Sequence, residues 1–225
     1  MLEALGERRR VHVIDLPRLR RPSGPRDFAG WLGAWLDAAE VERADVAGHS
    51  LGGLVAAELA AAEPKRVRRL VLVSPAGIPC GRSVARRALP LAGTLYDIRR
   101  SLPMVVPGAV RAGPGAVARA IAFVSSRDLR EELSAVRAPT LLVWGERDRL
   151  VPPSLAEEWQ RLLPGSRLER LPCGHVPMLE APRELAACML AFLDDELADD
   201  PGDQLGTGVV DGVRLARHDD EPAAR

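Results

Sequence analysis

The stretch "ADVAGHSLGG", residues 44 to 53, sets Ser50 between Gly48 and Gly52. "ADVAG" reads as a short strand, and "SLGGLVAAELAAAEP" as an alanine-rich helix stopped by Pro64. Strand, glycine-flanked serine and helix in immediate succession make a sharp turn with the hydroxyl at its apex. Gly-x-Ser-x-Gly alone is weak evidence, and its weight comes from this strand-to-helix setting. Glycine at 48 and 52 is expected to avoid collision across the turn, and Gly53 to let the helix approach the sheet. The dipoles of the helix N-terminus then face the serine and favour negative charge developing there. A glycine-rich turn with a capping serine is the plainer reading of the same residues.

The rest of the chain alternates in the same way. "RVHVIDLP" (10–17) is a short apolar run closed by proline, a buried strand. "RDFAGWLGAWLDAAE" places Phe28, Trp31, Leu32, Trp35 and Leu36 at helical spacing, so its aromatics belong to the core. "RLVLVSP" (69–75) and "TLLVWG" (140–145) are strongly apolar strands, whereas "SRLERLP" (166–172) is polar enough for a sheet edge. Helices follow at about 153–163 and 182–196. The alternation predicts an α/β fold, a mostly parallel sheet flanked by helices, built from residues 1–75 and 140–197.

Two segments interrupt this rhythm. Residues 76–139 put 64 positions between two strands, far more than a crossover needs, and predict a helical insert broken by Pro90, Pro103, Pro107 and Pro114. From Cys80 to Arg127 the insert holds eight arginines and one acid, Asp97, which read as solvated charges in an arginine-biased chain. Residues 198–225 are polar and rich in turn formers, and predict a disordered tail.

Composition narrows the function classes. The 225 residues carry 31 basic and 31 acidic side chains, so nothing points to nucleic acid. Three widely spaced cysteines (Cys80, Cys173, Cys188) favour free thiols in a reducing compartment. The start, "MLEALGERRR", lacks an apolar leader, and no run approaches the roughly 18 apolar residues of a membrane span. The expectation is a cytoplasmic protein with no integral membrane segment.

A nucleophilic serine needs a base, and the base an orienting acid. His175, in "PCGHVPMLEAP", follows the last strand of the core and so shares the sheet edge of Ser50. His12 lies inside a strand, His49 adjoins the nucleophile and His218 is in the tail, which leaves His175 as the base. Its plainer role would be a capping or packed loop histidine. For the acid, Asp148 in "WGERDRLVP" lies just past the "TLLVWG" strand, with Glu146 as the substitute. A turn aspartate is the plainer role of Asp148. Cys173 reads as a small loop filler, since nothing nearby in sequence would activate its thiolate. The order Ser, Asp, His along the chain is that of the α/β-hydrolases.

Together "GHSLGG", "PTLLVWGERDRLVP" and "GHVPMLEAPRELAACMLAFL" resemble the α/β-hydrolase superfamily, in its esterase and carbon–carbon hydrolase branch, over residues 10 to 195. The resemblance implies that Ser50 is nucleophile, His175 general base and Asp148 its orienting acid, with 76–139 a cap over the site. It implies no metal or organic cofactor, and a small apolar ester or acyl substrate. A serine at the turn argues against the dehalogenases and epoxide hydrolases of the superfamily, which use aspartate there.

Members usually begin with three more strands, the third ending in a His-Gly turn that supplies an oxyanion N–H. Residues 1–9 hold neither, so the resemblance implies an N-terminally truncated α/β-hydrolase fold in which only the Leu51 N–H remains of the usual donor pair. One lost donor lowers turnover by about 10²–10³. The family's "DLPGHG" is replaced by "DLPRLRRPSG". The strand at 10–15 is expected either to slide against 44–48 or to remain a loosely held edge. The first functional reading is hydrolysis of carboxylic esters or related acyl compounds through an acyl-enzyme. The alternative is a non-catalytic protein of the same fold that binds a ligand or partner.

Overall fold

Valine and leucine alternate along 70–73, and the alternation sends Leu70 and Leu72 to one face of a sheet and Val71 and Val73 to the other. The computed structural model describes residues 1–16, 28–79, 113–195 and 213–216. In chain order the elements are α1 (Leu2–Gly6), β1 (Val11–Ile14), α2 (Phe28–Ala38), β2 (Ala44–His49), α3 (Leu51–Ala62) and β3 (Val67–Val73). Then come α4 (Pro114–Ser126), β4 (Thr140–Gly145), α5 (Ser154–Leu162), β5 (Arg167–Leu171), α6 (Pro177–Glu180), α7 (Pro182–Leu193) and β6 (Val213–Ala216).

Strands β2, β3, β4 and β5 lie side by side in that order, all parallel. Such a sheet must be covered on both faces. On one, Leu70, Leu72, Leu142 and Trp144 pack with Phe28, Leu32 and Leu36 of α2, Leu54 and Leu59 of α3 and Trp159 of α5. On the other, Val71, Val73, Leu141 and Val143 pack with Leu5 of α1 and Leu185, Met189 and Phe192 of α7. The expected parallel sheet flanked by helices is therefore present, and the polar strand β5 is at its edge, with Arg167 and Arg170 exposed.

β1 takes neither of the two courses expected for it. It pairs in parallel with β6, in register from Val11↔Val213 to Ile14↔Ala216. Four residues of the stretch expected to be disordered thus supply its ladder. "VRLA" at 213–216 carries only a short alternation of its own, and the polar residues around it mask even that from a reading by composition. Ion pairs join this region to the main sheet: Arg9 reaches Asp45 of β2 at 3.3 Å and Asp194 at 2.6 Å, and Arg68 of β3 also pairs with Asp45. The rest of the tail and residues 80–112 of the expected cap lie outside the described residues.

The ends of the insert are tied together. The Leu129 N–H donates to the Gly77 carbonyl at 2.8 Å, and Arg127 pairs with Glu58 of α3. Phe123 of α4 sets its ring edge-on to Phe28 at 5.2 Å between centroids.

Candidate active site

Ser50, Asp148 and His175 follow the C-terminal ends of β2, β4 and β5 respectively. At Ser50 the backbone has φ 53° and ψ −115°, a conformation that costs a side-chain-bearing residue about 1–3 kcal/mol. Three hydrogen bonds hold it there. The Ser50 N–H donates to Val73 O (3.0 Å), and the Ser50 carbonyl accepts from Leu54 N–H (3.1 Å) and Ala76 N–H (3.0 Å). A Cβ at Gly48 would stand 2.2 Å from the Gly52 carbonyl oxygen, so the turn admits only glycine there. The expectation for Gly52 needs correction: a Cβ there meets nothing within 4 Å, because it points out of the turn. At Gly53 a Cβ would lie 2.9 Å from Pro75 Cβ, in keeping with close approach of helix to sheet. Leu51 is the first residue of α3, a position whose N–H has no partner within the helix.

Asp148 is 3% exposed, and its carboxylate is fully used. Oδ1 accepts the N–H groups of Leu150 (2.9 Å) and Val151 (2.8 Å), while Oδ2 meets His175 Nδ1 at 2.7 Å. One side chain thus makes both the turn contacts and the histidine contact that the sequence posed as alternatives. Glu146, the substitute acid, is exposed. Its N–H donates to Leu171 O and the Arg147 N–H to Cys173 O, both at 2.9 Å, so the Asp148 turn is stitched to the His175 loop.

The described hydrogen bonds join His175 to Asp148 and His49, and not to Ser50 itself. His49 Nε2–H donates to the His175 carbonyl at 2.7 Å, and the two rings lie 4.7 Å apart. Burial, reinforced by the neighbouring His175, lowers the His49 pKa to about 4, so its ring is neutral near pH 7. The sequence reading set His49 aside as a neighbour of the nucleophile; its partner is a backbone carbonyl 126 positions away, which no residue pattern records. Glu180 was missed too, because its partners are main-chain groups: its carboxylate accepts the N–H groups of Gly174 (2.8 Å) and Val176 (3.3 Å), on either side of His175. Cys173 is 1% exposed, and burial pushes its thiol up to about 11, which suits a filler and not a nucleophile. Among the described residues no three His, Cys, Asp or Glu side chains gather to hold a metal, and no helix is long and apolar enough to cross a membrane.

Comparison with known proteins agrees with this architecture. A model of the alpha/beta hydrolase family matches residues 1–188. A pimeloyl-[acyl-carrier protein] methyl ester esterase of Nitrosomonas europaea is 31% identical, over 85% of this chain and 88% of that one. The protein of the same description from Aromatoleum aromaticum is 33% identical, over 77% and 84%. Among solved structures, a hydrolase from Pseudomonas aeruginosa superposes with a TM-score of 0.59 at 28% identity, covering 80% of this chain and 74% of that one. The enol-lactonase from Burkholderia xenovorans shares the fold, with a TM-score of 0.65 at 22% identity over 77% and 75%.

Proposed function

Because this chain belongs to the alpha/beta hydrolase family, as an enzyme of the serine-hydrolase type, we propose that it hydrolyses carboxylic esters through Ser50, His175 and Asp148. The observation that carries the proposal is the His175–Asp148 pair, 2.7 Å between Nδ1 and Oδ2, together with a serine held at positive φ where β2 enters α3. With Nδ1–H committed to Asp148, the lone pair of the imidazole is at Nε2, the nitrogen that accepts a proton.

The steps follow from these roles. Ser50 Oγ attacks the ester carbonyl carbon as its proton passes to His175 Nε2, and the carbonyl π pair moves onto oxygen. The Leu51 N–H and the N-terminus of α3 stabilise that oxyanion. Collapse expels the alkoxide, which takes the proton from His175 and departs as an alcohol, leaving Ser50 acylated. Water, deprotonated by the same nitrogen, attacks the acyl-enzyme; a carboxylic acid leaves and Ser50 recovers its proton. Asp148 holds the imidazolium through its bond to Nδ1–H. The curated relatives make an acyl methyl ester the first substrate to offer, with methanol as the alcohol released.

The test is covalent labelling combined with turnover. A fluorophosphonate should modify Ser50, and Ser50→Ala should abolish both the label and p-nitrophenyl acetate hydrolysis. Labelling or hydrolysis that survives in Ser50→Ala overturns the assignment.

A further inference from the structure

We propose that His49 and Glu180 are positioning residues that clamp the main chain of His175 from opposite sides, so that the imidazole stays where the proposed triad needs it. The inference rests on that triad and adds to it the groups that fix the base. A loop histidine has two side-chain torsions and a mobile backbone, and a displacement of about 1 Å can cost 10²-fold in rate. The bond to Asp148 fixes one ring nitrogen, but leaves the peptide that carries the ring to be held by something else.

The peptide unit that follows the His175 Cα is held at both ends, its N–H by Glu180 and its carbonyl by His49, and Glu180 also holds the Gly174 N–H before it. On one side, the Glu180 carboxylate receives the N–H of Gly174 at 2.8 Å and that of Val176 at 3.3 Å. On the other, His49 Nε2–H donates to the His175 carbonyl at 2.7 Å. The sequence leaves room for the first contact. A Cβ at Gly174 would lie 3.0 Å from Glu180 Oε1 and 3.2 Å from Oε2, tighter than carbon–oxygen contact allows without movement. The second contact comes from the residue directly before Ser50, so the peptide entering the nucleophile turn also anchors the base loop. Nucleophile and base are thereby referenced to each other through one imidazole. A neutral His49 suits this role, since the bond needs one N–H and no charge.

Three variants test the clamp. His49→Phe keeps a ring of similar size and removes the donor; His49→Gln restores an N–H near the position of Nε2; Glu180→Ala removes both acceptors. The measurements are kcat and KM on p-nitrophenyl acetate, the fluorophosphonate labelling rate, Tm, and the downfield proton resonance of the His175 Nδ1–H in NMR spectra. His49→Phe and Glu180→Ala should each lower kcat and the labelling rate about tenfold or more, leave KM within about twofold and broaden the Nδ1–H resonance. His49→Gln should recover most of the loss. Kcat and an Nδ1–H signal equal to the parent in both His49→Phe and Glu180→Ala overturn the clamp, while the Ser50→Ala result judges the triad separately. Should the Phe or Ala variant fail to fold, His49→Gln and Glu180→Gln decide: a sharp Nδ1–H resonance and full kcat in Glu180→Gln, which gives up one acceptor, also overturn it. The resonance needs no turnover, so the clamp is judged even on a slow enzyme.

Discussion

Asp148 meets two demands with one carboxylate, and its variants should separate them. In Asp148→Asn the amide oxygen can still cap Leu150 and Val151 N–H, but the NH₂ then faces His175 Nδ1. That favours the wrong imidazole tautomer, so kcat should fall about 10³–10⁴-fold while the fold survives. In Asp148→Ala the buried Val151 N–H and the part-buried Leu150 N–H lose their acceptor as well, which should remove a further 1–3 kcal/mol or so of stability. Glu146→Gln should leave kcat within about twofold, since Glu146 is exposed. Steady-state kinetics and thermal melts of the three variants check this, and a Glu146→Gln enzyme as impaired as Asp148→Asn would contradict the assignment. The placement of Asp148 and His175 at one sheet edge was legible in the sequence because each follows a recognisable strand, the apolar β4 and the more polar β5. His49 and Glu180 were not, because they act on N–H and C=O groups that every residue possesses.

Strands buried on both faces announce themselves by composition, and β3 and β4 were found within two residues of their observed ends. β6 is the opposite case: four residues with no signal beyond local alternation, given meaning only by β1 beside them. The pairing makes a prediction. Removing residues 197–225 deletes β6 and strips the β1 ladder of its partner, while Arg9 still ties β1 to Asp45 and Asp194. Unpaired backbone groups should lower Tm by several degrees, and the open edge should raise the aggregated fraction. Calorimetry and light scattering of the shortened chain are the measurements, and a truncation with parental Tm and monodispersity would show that β6 adds nothing to the fold.

For the protein as a whole, His49 makes acid stability a readable quantity. Its folded pKa of about 4 lies below the unfolded 6.5, so the unfolded chain takes up the proton first as pH falls. The stabilising contribution is therefore complete above pH 6.5, is lost between 6.5 and about 4, and changes no further below that. At 1.36 kcal/mol per pKa unit the loss is about 3 kcal/mol. Chemical denaturation across pH 8 to 4 should show His49→Gln losing less stability over that window than the parent; parallel curves would refute a buried neutral histidine. The α/β architecture could be read from one sequence because alternation of strand and helix leaves few arrangements. The partner of β1 could not, because that pairing spans almost the whole chain.

The hydrogen bond from Leu129 to Gly77 ties the two ends of the insert together, where its outgoing and returning lengths of chain meet. Closure of the loop is thereby met by the core, and each doubling of a flexible loop's length costs only about 0.6 kcal/mol. What stands between residues 78 and 128 is in this sense an exchangeable cassette. Among the described residues, the hydrogen bonds that support Ser50, Asp148 and His175 come from the sheet, the start of α3 and the loops around them, so a change of length within the insert leaves those supports in place. A chimera carrying another insert at the same neck therefore has a sound place to begin.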